Sequence, residues 1–287
     1  MFSRLLLGLL WLLHLLPLPA LRALGALIGR LLYAFGRARR HVALTNLRLC
    51  FPELSEAARA ALARRHFIAF GRAFLDRTLL WWAPRSRLER LIRLKGAEHL
   101  RDAGGRPTIL LAPHFVGLDA GGTMMTMAVP LVSVYSSQKN PVFNAVLLAG
   151  RLRFNAPILL SRQEGMRRAL KALKDGYPFY YLPDMDFGGR DAIFAPFFGV
   201  PAATITGLSR LARATGARIV PVITRMTADG YEVELRPPWQ GYPGESVEAD
   251  TARMNAFIED EVRKMPEQYY WVHRRFKTRP QGEKKPY

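Results

Sequence analysis

A histidine and an aspartate lie five residues apart in "TILLAPHFVGLDAGG", residues 108–122, where an apolar run gives way to glycine. An imidazole held at one ring nitrogen by a carboxylate is oriented, fixed in one tautomer and made more basic, so that its other nitrogen can take a proton. His114 and Asp119 are therefore a candidate general-base pair. Spacing alone does not carry the reading, because chance supplies such a pair about once in a chain of this size. Of the six histidines only His114 has an acid five residues on, and by itself it favours a satisfied, buried histidine beside a helix-capping acid.

Three other clusters can contribute chemistry. "AGRLRFN" carries Arg151 and Arg153 at a helix end, where guanidinium groups clamp phosphate, stabilise an oxyanion or simply remain solvated. "YYLPDMDFGG" sets Asp184 and Asp186 at a strand end, as a cation site, an acid and a base, or a loop cap that holds an arginine. "QYYWVHRRFKTRP" interleaves Tyr269, Tyr270, Trp271 and Phe276 with His273, Arg274, Arg275, Lys277 and Arg279, a mixture suited to a membrane interface or a nucleic-acid surface. The chain contains no Walker-type phosphate loop, no Gly-x-Gly-x-x-Gly after a strand, no Gly-x-Ser-x-Gly elbow and no zincin helix. Without an enzymic nucleophile, a His/Asp pair fits direct transfer, in which the substrate's own hydroxyl is activated.

The elements that must hold these residues alternate. "LSEAARAALARRHFIAFGRAFLDRTLLWW" predicts one long helix with Ser55 as N-cap, running to Trp82 and stopped by Pro84. Beyond it, "TILLAP", "LVSVYS", "PILLS", "PFYYLPD", "RIVPVITRM" and "YEVELRP" read as strands, and "PVFNAVLLAGRLRF", "QEGMRRALKALKDG" and "TITGLSRLARATG" as helices. This alternation predicts an α/β fold with a mostly parallel central sheet flanked by helices. Asp229 and Gly230 mark a hairpin that makes the last strand pair antiparallel. In such sheets sites lie beyond the carboxyl ends of the strands, which is where "TILLAP" delivers His114.

Ahead of the helix is an apolar stretch, "LLLGLLWLLHLLPLPALRALGALIGRLLYAFGRARR", interrupted by Pro17 and Pro19. It admits a signal peptide, a kinked span, an interfacial helix or a buried core helix. The apolar pattern continues past Ala20 to Phe35 and closes on "RARR", which favours an uncleaved anchor with the body of the protein in the cytoplasm. Residues 1–40 are accordingly assigned to a membrane anchor or interfacial helix with a basic flank, and residues 41–287 to a single catalytic domain.

Charge narrows the partners. There are 42 basic and 23 acidic side chains, a formal net charge of +19, which favours an anionic membrane, an acidic protein or nucleic acid. Only 8 of the basic residues are Lys, and a GC-rich genome inflates Arg without functional demand. Cys50 is the single cysteine, so an intrachain disulfide and a thiolate zinc site are both excluded.

The apolar start with "RRHVALTNLRLCFPELS", then "APHFVGLD", "PDMDFG" with "FAPFFGVPAATITG", and finally "YYWVHRRFKTRP", resemble the late acyltransferases of bacterial lipid A biosynthesis, within the lysophospholipid acyltransferase superfamily. The likeness spans nearly the whole chain. It implies a monomeric enzyme at the cytoplasmic side of the inner membrane with a glycerolipid acyltransferase-like fold. The implied reaction moves an acyl chain from acyl carrier protein to a hydroxyl of a lipid A precursor, without metal, dissociable cofactor or nucleic acid. It further implies His114 as base, Asp119 as its orienting carboxylate in a position often held by Glu, and Arg151 or Arg153 as the arginine near the site. Asp184 and Asp186 would shape the site and hold an arginine, while Arg274 and Arg275 would form a membrane- and acceptor-facing rim. Other acceptors on this scaffold, such as a lysophospholipid or an amino-acid lipid, and a non-catalytic basic membrane- or nucleic-acid-binding protein are the competing readings.

Overall fold

The computed structural model describes residues 2–101, 105–161 and 166–287. The expected helix within 163–176 is seen from Met166 onward, and its first three residues lie outside that range.

Seven strands form the main sheet: β1 (Ile92–Lys95), β2 (Thr108–Leu111), β3 (Val132–Tyr135), β4 (Ile158–Ser161), β5 (Phe179–Tyr181), β8 (Arg218–Met226) and β9 (Tyr231–Leu235). Their order is β1-β9-β8-β2-β5-β3-β4, and every neighbouring pair is parallel except β8 with β9. The β8–β9 hairpin turns where Asp229 and Gly230 place it. Two short helices, α5 (Arg85–Leu91) and α6 (Glu98–Arg101), flank β1.

Alternation along the central strands divides the interior into two cores. Ile109 and Leu111 of β2, Phe179 and Tyr181 of β5 and Ile219 of β8 face one core, with α3 (Arg37–Cys50), α9 (Met166–Lys174), α10 (Gly207–Thr215) and α11 (Val247–Lys264). Leu110, Tyr180 and Val220 face the other, with α2 (Leu18–Phe35) and α7 (Leu118–Ala128). Helix α4 (Glu56–Trp82) serves both, through Leu62 and Phe67 on one side and Leu75 and Leu79 on the other. Ser55 caps it by accepting from the Ala58 N–H at 3.2 Å.

A second, two-stranded sheet pairs β6 (Ala192–Phe197) with β7 (Val200–Ile205). Its turn, Phe198–Gly199, has both φ angles positive, 52° and 72°, as a type I′ hairpin requires. No Asn or Asp announces this turn, and the pair is absent from the strands expected of the sequence.

The N-terminal stretch is two helices, α1 (Phe2–Leu13) and α2, separated where Pro17 interrupts the chain. Helix α2 has the length and apolarity to cross a membrane, yet it lies along α4 through a seam of small residues. A Cβ on Gly29 would sit 2.2 Å from the Phe67 carbonyl, and one on Gly71 2.2 Å from the Gly25 carbonyl, so any side chain at these places would separate the helices. The seam ends in a buried ion pair: Arg22 Nη2 lies 3.1 Å from Asp76 Oδ2, which also accepts from the Tyr231 hydroxyl at 2.7 Å. The same guanidinium donates to the Ala228 and Gly230 carbonyls at 3.0 and 2.9 Å, tying α2 to the β8–β9 hairpin. On the opposite side of the N-terminal helices, Leu5, Leu9, Leu12, Leu27, Leu31 and Phe35 are 48–79% exposed.

Candidate active site

Strands β2 and β5 are parallel neighbours in register, Leu111 opposite Tyr181. Each then runs through a proline, "APH" and "LPD", so that three residues on His114 stands opposite Asp184. The register becomes chemistry: the His114 ring donates from Nδ1 to Asp184 Oδ1 at 2.7 Å, and the His114 backbone N–H donates to Oδ2 at 2.9 Å. Asp184 is 1% exposed. Burial works against its charge, but the His114 charge and both hydrogen bonds, with Arg275 behind them, hold the carboxyl below the usual carboxylate range. With Nδ1 engaged, Nε2 is the ring nitrogen left to exchange a proton, and His114 lines the large cleft.

Asp119 does not reach the imidazole. From the first turn of α7 it accepts from Arg77 Nε of α4 at 2.6 Å and from Arg151 Nη2 at 2.8 Å, at the end of α8 (Pro141–Arg151). Burial raises its pKa, but the two guanidinium charges win and the carboxyl is held far below its ordinary value. The structure thus places Asp184 against the histidine and Asp119 between two arginines, the reverse of the expected pairing. A five-residue offset at a strand-to-helix corner turns the acid toward α4 and α8, whereas register across two strands brings the other acid to the ring.

The two arginines also separate. Arg151 lines the cleft with Asp119, whereas Arg153 closes the end of α4 by donating to the Leu80 and Ala83 carbonyls at 2.7 and 2.6 Å. Asp186 is a tie for the C-terminal segment: it accepts from the Thr278 N–H at 2.8 Å, the Thr278 hydroxyl and the Gly188 N–H both at 2.9 Å. Its own N–H donates to His273 Nε2 at 3.0 Å. Burial first, then the positive charges of His114, Arg275 and Lys277, push His273 down to about 4, so it is the neutral acceptor that this bond needs. Arg275 is 2% exposed and donates to the Ala203 carbonyl and the Thr204 hydroxyl, both at 2.8 Å, so it braces β7 and is no part of a membrane-facing rim. Arg274 is exposed, beside the Tyr287 ring. The C-terminal segment also straps the His114 corner, with Tyr270 N–H donating to the His114 carbonyl at 3.0 Å. No group of three or more His, Cys, Asp or Glu that could hold a metal ion occurs among the described residues.

The cleft measures about 1020 Å³ and is mainly apolar. One part runs between α4, α7 and α8, lined by Leu80, Trp81, Leu131 and Leu147; the other runs between α9 and α10, lined by Met166, Leu170, Ile205 and Leu211.

The family model of the bacterial lipid A biosynthesis acyltransferases matches residues 2–278. The chain belongs to this family. It is 38% identical to the lipid A biosynthesis lauroyltransferase of Escherichia coli over 280 residues, 96% of this chain and 91% of that one. The palmitoleoyltransferase of the same organism is 36% identical over 96% of this chain and 91% of its own. The myristoyltransferase is 32% identical over 94% of this chain and 83% of its own. The three names carry three different acyl groups. A solved 1-acyl-sn-glycerophosphate acyltransferase from Thermotoga maritima aligns loosely, at 14% identity and a TM-score of 0.37 over 80% of this chain and 98% of that one.

Arg77 is the residue of this lipid A acyltransferase that motif reading passes over. The signal was present: Phe70, Phe74, Arg77 and Trp81 recur at helical spacing, and all four line the cleft. A cation inside an apolar helical stripe asks for a buried anion, and Asp119 is that anion.

Proposed function

We propose that this acyltransferase moves a fatty acyl chain from acyl carrier protein to a hydroxyl of a lipid A precursor, as a monomer at the cytoplasmic side of the inner membrane. His114 is the general base and Asp184 the carboxylate that positions it. The acceptor hydroxyl gives its proton to His114 Nε2 as its oxygen attacks the thioester carbonyl. The tetrahedral oxyanion collapses with cleavage of the C–S bond, and the departing thiolate recovers the proton from the imidazolium. Arg77 and Arg151 share the single carboxylate of Asp119, leaving net positive charge in the cleft for the oxyanion or an acceptor phosphate.

The observation that carries the reading is the His114–Asp184 contact opening on a cleft of about 1020 Å³, a volume suited to an acyl chain and a lipid hydroxyl together. The apolar faces of α1 and α2 supply membrane contact. The test is the purified enzyme with an acyl carrier protein thioester and a lipid A precursor, read by mass spectrometry. His114→Ala is expected to abolish transfer without lowering the thermal midpoint; transfer that persists above about a hundredth of the wild-type rate refutes the assignment.

A further inference from the structure

Helix α9 is unlike the other helices that flank the cleft. Its buried positions, Ala169, Ala172 and Leu173, face the core of α10 and α11, and it turns Met166, Arg167, Arg168, Lys171 and Lys174 outward. Apart from Met166, each fully exposed position of the helix is basic, and the acid that follows it directly is Asp175. Met166 and Leu170 at the same time line the cleft, so the basic strip borders the arm between α9 and α10. Arg210 of α10 and Arg190 stand exposed at the same arm.

A basic strip on a membrane enzyme invites the bilayer as its partner, but the exposed apolar residues gather on the N-terminal helices and α9 has only Met166. Helix α9 packs on the core faced by Ile109, Leu111, Phe179 and Tyr181, whereas α2 packs on the core faced by Leu110, Tyr180 and Val220. Helix α1 and the first turns of α2 therefore lie on the face opposite α9, while Tyr33 near the end of α2 reaches the core that α9 covers. A charged surface that borders the cleft of His114, with Met166 as its one exposed large hydrophobic, suits a soluble anionic macromolecule that delivers a group into the cleft.

We propose that α9 is the docking helix for the acidic carrier of the acyl donor, with the thioester-bearing arm of the carrier entering between α9 and α10 and reaching His114. This rests on the donor assignment made above. The donor then approaches over α9 and the lipid acceptor from the apolar N-terminal helices, and the two meet at the carboxyl edge of the sheet. The carrier stays in solution while the acceptor stays in the membrane, and neither has to leave before the other binds.

The experiment compares two donors of the same acyl group: dodecanoyl acyl carrier protein and dodecanoyl-pantetheine, which has the same thioester but no protein and no charge. Arg167→Glu, Lys171→Glu and Lys174→Glu are combined in one variant, with Gln at the same three places in a second that avoids placing acids in the last helical turn. The expected result is a KM for the carrier-bound donor raised about tenfold or more in the Glu variant, and less in the Gln variant. Turnover of dodecanoyl-pantetheine and the thermal midpoint stay at wild-type values. An equal loss with both donors, or no change with the carrier-bound one, overturns the proposal and leaves the donor assignment intact. Weaker binding to phosphatidylglycerol vesicles with an unchanged KM makes α9 a membrane contact and overturns it too. A wild-type enzyme that uses the carrier-bound donor no better than the pantetheine thioester refutes the donor assignment, and the docking helix with it.

Discussion

The substitution Asp184→Asn changes almost no shape at the catalytic corner, and it separates orientation from charge. The His114 backbone N–H can only donate, so the oxygen of the new amide must take the place of Oδ2 at 2.9 Å. The amide NH2 then faces the ring where Oδ1 now accepts at 2.7 Å. An NH2 group needs an acceptor, so the ring turns to the tautomer with bare Nδ1 and protonated Nε2, the form that cannot take a proton from a substrate hydroxyl. General-base catalysis is worth about 10²–10⁴ in rate, so the expected fall in kcat/KM is about 10³, or roughly 4 kcal/mol of transition-state stabilisation. The assay is initial-rate transfer from acyl carrier protein to the lipid A precursor, with circular dichroism and a thermal midpoint to establish an intact fold. A folded variant within about tenfold of the wild-type kcat/KM refutes Asp184 as the group that sets the histidine.

Arg153→Ala removes two carbonyl contacts at the end of α4 and is expected to cost about 2 kcal/mol of stability while sparing kcat/KM; Arg151→Ala should do the reverse, lowering activity with little change in the thermal midpoint. Denaturant titrations beside steady-state rates decide, and matching profiles for the two variants would count against their separate roles. A Cβ at Gly150 would lie 2.3 Å from Trp81 Cδ1, so Gly150→Ala must push that indole into the cleft and shift preference toward shorter acyl donors. Competition between donors of different length reads this directly, and unaltered selectivity argues that the chain lies elsewhere. His66 and His273 are both pushed down to about 4, chiefly by burial, from an ordinary 6.5. Between pH 6.5 and 4 the unfolded chain binds protons that the folded one refuses, so stability rises with pH across that window and is lost on acidification, by at most about 1.4 kcal/mol per pH unit for each group. A thermal midpoint that stays flat from about pH 6.5 to about 4.5 would contradict it.

Features carried by contiguous residues were legible in the sequence. Helix α4 begins after Ser55 and ends at Trp82, as its cap and Pro84 predict, and His114 stands just beyond a strand. What distance along the chain concealed was pairing. Asp184 is 70 residues from His114, and only the order of strands makes β5 the neighbour of β2. One trace was available, since "LLAPH" and "YYLPD" are the same phrase with histidine in one and aspartate in the other, and parallel strands in register would set them side by side. Burial was the second blind spot. Arg274 and Arg275 are indistinguishable as letters, yet one is solvated and the other braces a hairpin from inside, because the strap that carries them turns and buries Arg275 together with Phe276.

The seam between α2 and α4 bears on how such an enzyme can be handled and how it can evolve. A hydrophobic tether is ordinarily interchangeable, since any apolar helix of adequate length holds a protein to a bilayer. Helix α2 is instead keyed to α4, because Gly25, Gly29 and Gly71 admit no larger neighbour and Arg22 is the counter-charge bonded to Asp76. Trimming the first helices would strip α4 of its packed neighbour and strand the Asp76 carboxylate in the interior. The segment that looks most dispensable in the sequence is one that a shortened chain cannot do without.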